Sequence, residues 1–263
     1  MNNGRFNPSL RLSATLLLVG QLLYILVTLF HADGDANNHP AVFAEYARSG
    51  IWTAVHLGQF AAMAILLAGL LALFFALDVQ AETARWAGRF GAASAAATLA
   101  LYGGVQAVDG VALKQAVNAW ASAPDAEKAA RFASAEAIRW LEWGVRSYQN
   151  FALGLALILF AAAVVRTAWG PRPIAYLMGL SGLTYLVQGW VAGSEGFSRT
   201  HTIAIVLAWV LNLTWMIWLV VVAWRMQDSE PVSPGRCRRG LPRRHLRGFR
   251  RDRGLRYKSA IAY

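Results

Sequence analysis

The most regular feature of the chain is a series of long apolar blocks separated by short polar segments. A helix needs about 20 mostly apolar residues to cross the ~30 Å hydrocarbon core of a bilayer, and six blocks reach that length. They cover residues 11–30, 57–77, 90–109, 146–165, 173–192 and 204–224. Their apolar positions do not alternate with the period of two that membrane β-strands show. The pattern predicts an all-α, polytopic membrane protein with a six-helix transmembrane domain over residues 1–226.

The composition agrees with this pattern. The chain is 57% hydrophobic and 15% charged, and its mean hydropathy is +0.38, whereas soluble domains carry about 25% charged residues. The first apolar run, Leu12 to Phe30, is long for the apolar region of a signal peptide, and a small-residue cleavage site does not follow it. We therefore expect this run to be the first span. The only cysteine is Cys237, which excludes an internal disulfide in this chain.

The positions of the arginines predict how the bundle is oriented. Lys and Arg accumulate in the cytoplasmic loops of membrane proteins. Arginines precede the first block, lie between blocks two and three and between blocks four and five, and follow block six: Arg5, Arg11, Arg85, Arg89, Arg166, Arg172 and Arg225. The loops on the other side carry fewer basic residues, most of them among acids. Both termini are therefore predicted to be cytoplasmic.

Polar side chains collect at the predicted outer ends of the spans. Asp109, Glu142 and Arg146 are the strongest candidates for binding a ligand, and three glutamines accompany them: Gln59, Gln106 and Gln188. Polar groups that face lipid are costly, so we expect these side chains to turn inward. The sequence thus predicts an outward-facing polar cup, defined by these six residues, that binds a small molecule or a lipid headgroup. A structural cap of ordinary ion pairs, such as Arg139 with Glu142 or Glu142 with Arg146, is the equally weighted alternative.

Helical spacing supports the prediction of a shared polar face. Tyr102, Gln106 and Asp109 follow i, i+4 and i+7, so a regular α-helix would bring them to one side. Farther along, Pro124 followed by acidic residues is typical of a helix start. We expect the fourth membrane helix to begin there and to project beyond the membrane.

The segment "HADGDANNHPAVFAEY", residues 31–46, raises the question of a metal site. Asp33, Asp35 and Asn37 have the spacing that begins a calcium loop. Such a loop needs Gly at its sixth position and Glu at its twelfth, which here are Asn38 and Ala44. A polar turn, followed by a short helix from residue 40 to residue 46, is the commoner interpretation.

A transition-metal site is chemically more plausible than a calcium site. His31, His56 and His201 are all predicted on the outer side, with Asp109 nearby, and zinc takes such ligands. A tight motif such as H-E-x-x-H is absent from the sequence. Zinc or another transition metal would favour an intramembrane metal-dependent hydrolase as the alternative function. Axial ligation of haem by His56 and His201 is a weaker alternative, and a transporter or a subunit of a larger membrane assembly is a further one.

Residues 227–263 change character abruptly. From residue 226 onward the chain has ten arginines, one lysine and three acidic residues, so eight of its eleven net positive charges lie there. This composition predicts a disordered, Arg-rich cytoplasmic tail. Contact with anionic lipid headgroups is one interpretation of the tail, and an extension without function is the other. No nucleic-acid-binding fold is evident, so we expect no nucleic-acid partner.

The layout of residues 11–225 resembles the bacterial six-span membrane proteins grouped as domain of unknown function 4386. The resemblance is carried by the first span "RLSATLLLVGQLLYILVTLF", by "RSYQNFALGLALILF", and above all by "PRPIAYLMGLSGLTYLV". It implies six spans and a multi-pass location in the bacterial cytoplasmic membrane. That family has no established activity, so the resemblance implies no mechanism.

Overall fold

A computed structural model of the chain describes residues 8–32, 35–77, 81–167 and 171–225. Within these ranges the chain is helical, with no β-strand. The helices are α1 (Pro8–Thr28), α2 (His39–Arg48), α3 (Trp52–Ala76), α4 (Glu82–Val105), a π-helix (Gln106–Leu113), α5 (Lys114–Ala121), α6 (Asp125–Val164), α7 (Arg172–Glu195) and α8 (Arg199–Arg225). The predicted disordered tail, residues 227–263, lies outside the described residues.

Six helical segments are long and apolar enough to cross a membrane. They are α1, α3, the continuous segment Glu82–Ala121, α6, α7 and α8. The prediction of an all-α bundle with six membrane helices is therefore confirmed, and the protein is a multi-pass integral membrane protein. The helices extend past several of the predicted spans, because polar residues in the end turns continue the backbone hydrogen bonding that the apolar blocks begin.

The third membrane helix differs most from its predicted bounds. The sequence pattern ended this span at Asp109, but the helix continues through the π-helix and α5 to Ala121. Only residues 122–124 then separate α5 from α6. The predicted start of the fourth membrane helix near Pro124 is confirmed, since Pro124 is the N-cap of α6 and Asp125 lies in its first turn.

Helix α6 occupies the centre of the bundle and packs against α4 on one side and α7 on the other. Helix α1 packs against α3 and α8, and α8 also contacts α7. The largest side chains between them are fully buried: Leu17, Leu70, Tyr102, Phe160 and Trp215. Close packing of this kind, rather than exclusion of water, holds helices together inside a bilayer.

Helix α2 covers the end of the bundle at which α5 and the first turns of α6 lie. It shares a small apolar core with them, formed by Val42, Phe43, Tyr46, Trp52, Leu113, Val117 and Ala135. The ammonium group of Lys114 donates to the carbonyls of Ala47 (3.1 Å) and Ser49 (3.0 Å) at the C-terminal end of α2. A positive charge at that position also complements the helix dipole. The short helix predicted after residue 40 is confirmed, and it roofs the site described next.

Candidate ligand site

A cavity of about 460 Å³ lies inside the bundle at the end that α2 covers. Side chains from all six membrane helices, from α2 and from the segment after α1 line it. Among the polar lining residues are Thr28, His31, Gln59, Asp109, Arg139, Glu142, Arg146, Gln149, Asn150, Gln188 and His201. The structure therefore brings together five of the six residues predicted for the polar cup, and also His31 and His201.

Described residues on either side of positions 33 and 34, namely 31–32 and 35–46, form the roof of this cavity. The amide group of Asn37 donates to the carbonyl of Glu195 (2.9 Å), and its oxygen accepts from the backbone N–H of Phe197 (3.1 Å). These bonds tie the roof to the turn between α7 and α8. Asn37 is thus engaged in a turn rather than in ion binding, and Asp33 of the calcium pattern lies outside the described residues.

The strongest ion pair in the cavity wall joins two residues of α6. Arg139 Nη1 donates to Glu142 Oε2 at 2.6 Å, and both side chains are only 2% exposed. The Arg139 guanidinium also donates to the carbonyl of Ala36 (3.4 Å) and lies over the rings of Phe197 (4.7 Å) and Tyr46 (5.5 Å). Glu142 is therefore a partner of Arg139. The predicted pair of Glu142 with Arg146 does not occur within 4.0 Å among the described residues.

A second buried pair crosses from α3 to the π-helix. His56 Nε2 lies 3.0 Å from Asp109 Oδ2, and the two side chains are 3% and 4% exposed. His56 Nδ1 lies 2.8 Å from the carbonyl of Trp52, whose indole N–H donates to the Asp109 carbonyl at 3.2 Å. Gly110 makes this approach possible, because a Cβ there would lie 2.9 Å from the Cβ of His56.

His31 completes a cluster with these two residues. One ring nitrogen of His31, one of His56 and one carboxylate oxygen of Asp109 all lie within 4.8 Å of one another. The His31 ring packs against the rings of Trp52 (5.0 Å) and His56 (5.1 Å). Burial lowers the pKa of His31 below its ordinary value, which favours the neutral imidazole that metals bind.

His201 does not belong to that cluster, contrary to the predicted metal set of His31, His56 and His201. It lines the cavity from α8, where its ring packs against Phe197 at 5.1 Å. Its Nε2 is buried and has no hydrogen-bond partner among the described residues. Asp109 takes its place in the cluster because the π-helix carries that carboxylate directly to His56.

Arg146 is the cation of the cavity that lacks a close carboxylate. Within the described part of the chain no carboxylate oxygen lies within 4.0 Å of its guanidinium. The guanidinium lies over the ring of Tyr102, 5.4 Å from its centroid. The next two polar residues of the same helix face are Gln149 and Asn150, and their buried amide nitrogens have no hydrogen-bond partner among the described residues.

The predicted glutamines occupy different positions. Gln59 donates to Thr28 Oγ1 (3.2 Å) and Gln188 donates to the Ala204 carbonyl (3.2 Å), both in the cavity wall. Gln106 lies elsewhere, in a separate and mainly apolar pocket between α3 and the π-helix. The prediction that Gln106 and Asp109 share one polar face is therefore wrong. The π-helix inserts extra residues per turn and rotates Asp109 away from Gln106.

The floor of the cavity is a hydrogen-bonded group in the middle of the bundle. Asn212 donates to Gln21 Oε1 and to the hydroxyl of Tyr185, both at 3.1 Å. Its own oxygen accepts from the indole N–H of Trp215 at 3.1 Å. Polar side chains that face other helices usually find such partners, because lipid offers none. These bonds join α1, α7 and α8 below the cavity.

The cavity reaches the surface between α1 and α8. Three of its lining residues are themselves exposed there: Leu29 (71%), Thr202 and Val206 (51%). Leu29 directly follows α1, and the other two lie in the first turns of α8. The mouth of the cavity therefore has a largely apolar rim.

Sequence reasoning did not identify several residues that shape the site. The sequence indicates Arg139 as a possible ion-pair partner of Glu142. Its contacts with Phe197 and Tyr46 could not be predicted, because they join segments far apart in the chain. Tyr46 lies in the ten-residue helix α2, and Trp52 lies at the start of α3, before the apolar block predicted from residue 57, so no helical period marks their inward faces. Gln149 and Asn150 follow Arg146 at the i+3 and i+4 positions, so the sequence places them at the same end of the span, although they are not among the six residues predicted for the polar cup.

Comparison of the chain with family models, with curated proteins and with solved structures finds no match. The resemblance to domain of unknown function 4386 therefore stays a prediction.

Proposed function

We propose that this integral membrane protein binds a ligand with an anionic group, either a lipid headgroup or a free small molecule, in the cavity beneath α2. The observation that carries the proposal is Arg146, a guanidinium in the cavity wall with no carboxylate within 4.0 Å among the described residues. A guanidinium binds phosphate and carboxylate oxygens through a planar fork of donors.

Two neutral donors support Arg146. Gln149 Nε2 and Asn150 Nδ2 are buried and unpartnered among the described residues, and both side chains line the same cavity. Residues at i, i+3 and i+4 lie on one face of a helix, so α6 presents three donors together. Buried donors without partners are uncommon in native proteins, and an oxygen-rich ligand would satisfy them.

The size and the rim of the cavity favour a lipid headgroup. A volume of about 460 Å³ lies within the usual range of small-molecule pockets, roughly 300–1,000 Å³. A polar interior with an apolar rim at Leu29 and Val206 suits an amphiphile whose chains remain in the bilayer. The prediction that this end of the bundle faces outward would place the headgroup in the outer leaflet.

The test compares Arg146→Gln with Arg131→Gln, its matched control on the same helix. Arg131 is exposed and pairs with Glu127 outside the cavity. Purified full-length protein is titrated with phosphatidylglycerol in mixed micelles and, separately, with free glycerol 3-phosphate. We expect binding that Arg146→Gln weakens by about a hundredfold or more and that Arg131→Gln leaves unchanged, in line with the loss of a charge-assisted contact.

The two probes distinguish the source of the anionic group. Binding of phosphatidylglycerol alone indicates a lipid headgroup, and binding of glycerol 3-phosphate at similar affinity indicates a free small molecule. Equal affinity of both variants for each probe would contradict the proposal. The polar residues would then form the structural cap that the sequence left open.

An intramembrane metal-dependent hydrolase is the second candidate function. The cluster of His31, His56 and Asp109 favours it, because two of its members, His31 and Asp109, line the same cavity. A bound metal could polarise a ligand oxygen there. Hydrolysis of a bound phosphate or carboxylate ester by the purified protein, lost on metal removal, would support this candidate.

A further inference from the structure

We propose that His31, His56 and Asp109 bind one divalent transition-metal ion, with Zn²⁺ as the best fit to the ligand set. The inference goes beyond the binding of an anionic ligand and does not depend on it. Two imidazoles and a carboxylate are ligands that Zn²⁺ takes in proteins. The three residues come from the segment after α1, from α3 and from the π-helix, so the fold, and not a local sequence motif, assembles them.

The hydrogen bonds of His56 indicate that a cation, either a proton or a metal ion, lies between His56 and Asp109. His56 Nδ1 lies 2.8 Å from the Trp52 carbonyl, an acceptor, so Nδ1 carries the proton of that bond. In neutral imidazole Nε2 then holds a lone pair. That lone pair lies 3.0 Å from Asp109 Oδ2, which is also an acceptor. Two acceptors at this distance repel each other unless a proton or a metal ion lies between them.

His31 has the same arrangement. Its Nδ1 lies 2.9 Å from the carbonyl of Ala32, so its Nε2 also retains a lone pair. Metal-binding histidines characteristically donate their other ring N–H to a backbone carbonyl or a carboxylate, which fixes the tautomer. Asp109 Oδ1 adds a third free acceptor, since it is buried with no hydrogen-bond partner among the described residues.

The spacing requires only a small movement. Ligand atoms of a tetrahedral zinc ion with bonds of about 2.0–2.1 Å lie roughly 3.3 Å apart. The three atoms here lie within 4.8 Å of one another. His31 is the ligand that can move, because it follows the end of α1 and is only partly buried. Three protein ligands would leave a position open toward the cavity, as in catalytic zinc sites.

The open position would act together with Arg146. The carboxylate of Asp109 and a divalent metal ion together carry one net positive charge, and the guanidinium of Arg146 adds a second positive charge. If the anionic ligand proposed above binds, its oxygens would be shared between the metal and the guanidinium. The metal site at His31, His56 and Asp109 does not require such a ligand.

The competing explanation is an ion pair alone, with His56 doubly protonated and hydrogen-bonded to Asp109. That arrangement satisfies His56 but gives no role to His31. The two explanations differ in whether His31 affects metal content, and His31→Gln is therefore the decisive variant. It replaces a partly buried residue outside the helices, so the fold should tolerate it.

The experiment uses detergent-purified full-length protein, stripped with chelator and equilibrated with Zn²⁺ or, as an optical probe, Co²⁺. Metal content and the visible Co²⁺ spectrum are measured for wild type, His31→Gln, Asp109→Asn and His201→Gln. His201 is the matched control, since it lines the same cavity outside the cluster. Thermal unfolding of the metal-free variants verifies that each one is folded.

We expect about one metal ion per wild-type chain and per His201→Gln chain, with content near background in His31→Gln and Asp109→Asn. The visible absorption spectrum of the wild-type protein loaded with Co²⁺ should be that of an ion with a low coordination number and with nitrogen and oxygen ligands. A wild-type protein that retains no metal overturns the proposal and leaves the ion pair. Retention of metal by folded His31→Gln, or its loss in His201→Gln, also overturns the assignment of the three ligands.

Discussion

At the scale of single residues, the cavity depends on charges that are neutralised in buried pairs. Glu142 and Arg139 are each 2% exposed and lie 2.6 Å apart. Glu142→Gln would leave the Arg139 guanidinium buried without its counter-charge, and breaking such a pair costs about 3 kcal/mol or more. We therefore expect a marked loss of thermal stability in detergent, measured by the unfolding midpoint.

Glu127→Gln on the same helix is the control for this substitution. Glu127 pairs with Arg131 where both side chains are about half exposed, and such surface pairs contribute about 1 kcal/mol or less. Equal shifts in the two unfolding midpoints would show that Glu142 does not stabilise the bundle. Its carboxylate would then be free to act on a ligand.

A second prediction at this scale concerns Gly110. A Cβ at this position would lie 2.9 Å from the Cβ of His56, closer than side chains approach. Gly110→Ala should displace His56 from Asp109, destabilise the protein by about 1–3 kcal/mol through overpacking, and lower the zinc content of the His31, His56 and Asp109 cluster.

Gly103→Ala is the matched control for Gly110→Ala. Gly103 lies one segment earlier in the same continuous helix, and a Cβ there would be 3.7 Å from Phe60, an ordinary contact. Zinc content and unfolding midpoint should stay near wild type in this variant. Unchanged zinc content in Gly110→Ala would mean that His56 keeps its position without the close approach.

At the scale of elements, the sequence predicted the helices but not how they end or turn. Each apolar block gave a membrane helix because its composition fits the bilayer, whatever its neighbours are. The prediction that Gln106 and Asp109 share one face was wrong because it assumed a regular α-helix through residue 109. Within the π-helix, Gly110 packs closely against His56 of α3. Nothing in the local sequence specifies that contact.

In the site, too, some features follow from the local sequence and others only from contacts between distant segments. Glu142, Arg146 and Asp109 could be predicted as inward-facing, because polar groups avoid lipid. Their partners could not be predicted, since His56 and Asp109, or Arg139 and Phe197, meet only when distant segments fold together. The roof of the cavity is a further example, because its residue Asn37 is positioned by Glu195 and Phe197.

The contact between α6 and α7 gives a prediction at the element scale. A Cβ on Gly154 would lie 2.7 Å from the carbonyl oxygen of Gly182. A Cβ on Gly182 would likewise lie 2.7 Å from the carbonyl oxygen of Gly154. Small residues of this kind let two backbones touch. Gly154→Ala should therefore separate α6 from α7 and lower the unfolding midpoint by the equivalent of about 1–3 kcal/mol.

Gly144→Ala tests whether this effect comes from the contact or from the helix itself. Gly144 lies on the same helix, and a Cβ there would meet nothing within 4 Å. Alanine is the better helix former by about 1 kcal/mol, so this variant should be as stable as wild type or more stable. A loss of stability in both variants would contradict the role given to the Gly154–Gly182 contact.

At the scale of the whole molecule, the remaining question is which side of the membrane the cavity faces. Arginines near the span ends predict cytoplasmic termini, which would place α2, α5 and the cavity on the outer side. Cys237, the only cysteine of the chain, is a probe of this prediction. In intact cells a membrane-impermeant maleimide should not label it, and labelling should appear once the membrane is made permeable.

The converse probe is Ser122→Cys in a Cys237→Ser background. Ser122 is exposed in the turn between α5 and α6, beyond the cavity, so the maleimide should label it in intact cells. The opposite pattern at the two positions would invert the bundle, and the cavity would then bind cytoplasmic ligands and inner-leaflet headgroups. The supply of ligand and metal depends on this result, because the cavity lies at the end of the bundle that α2 covers.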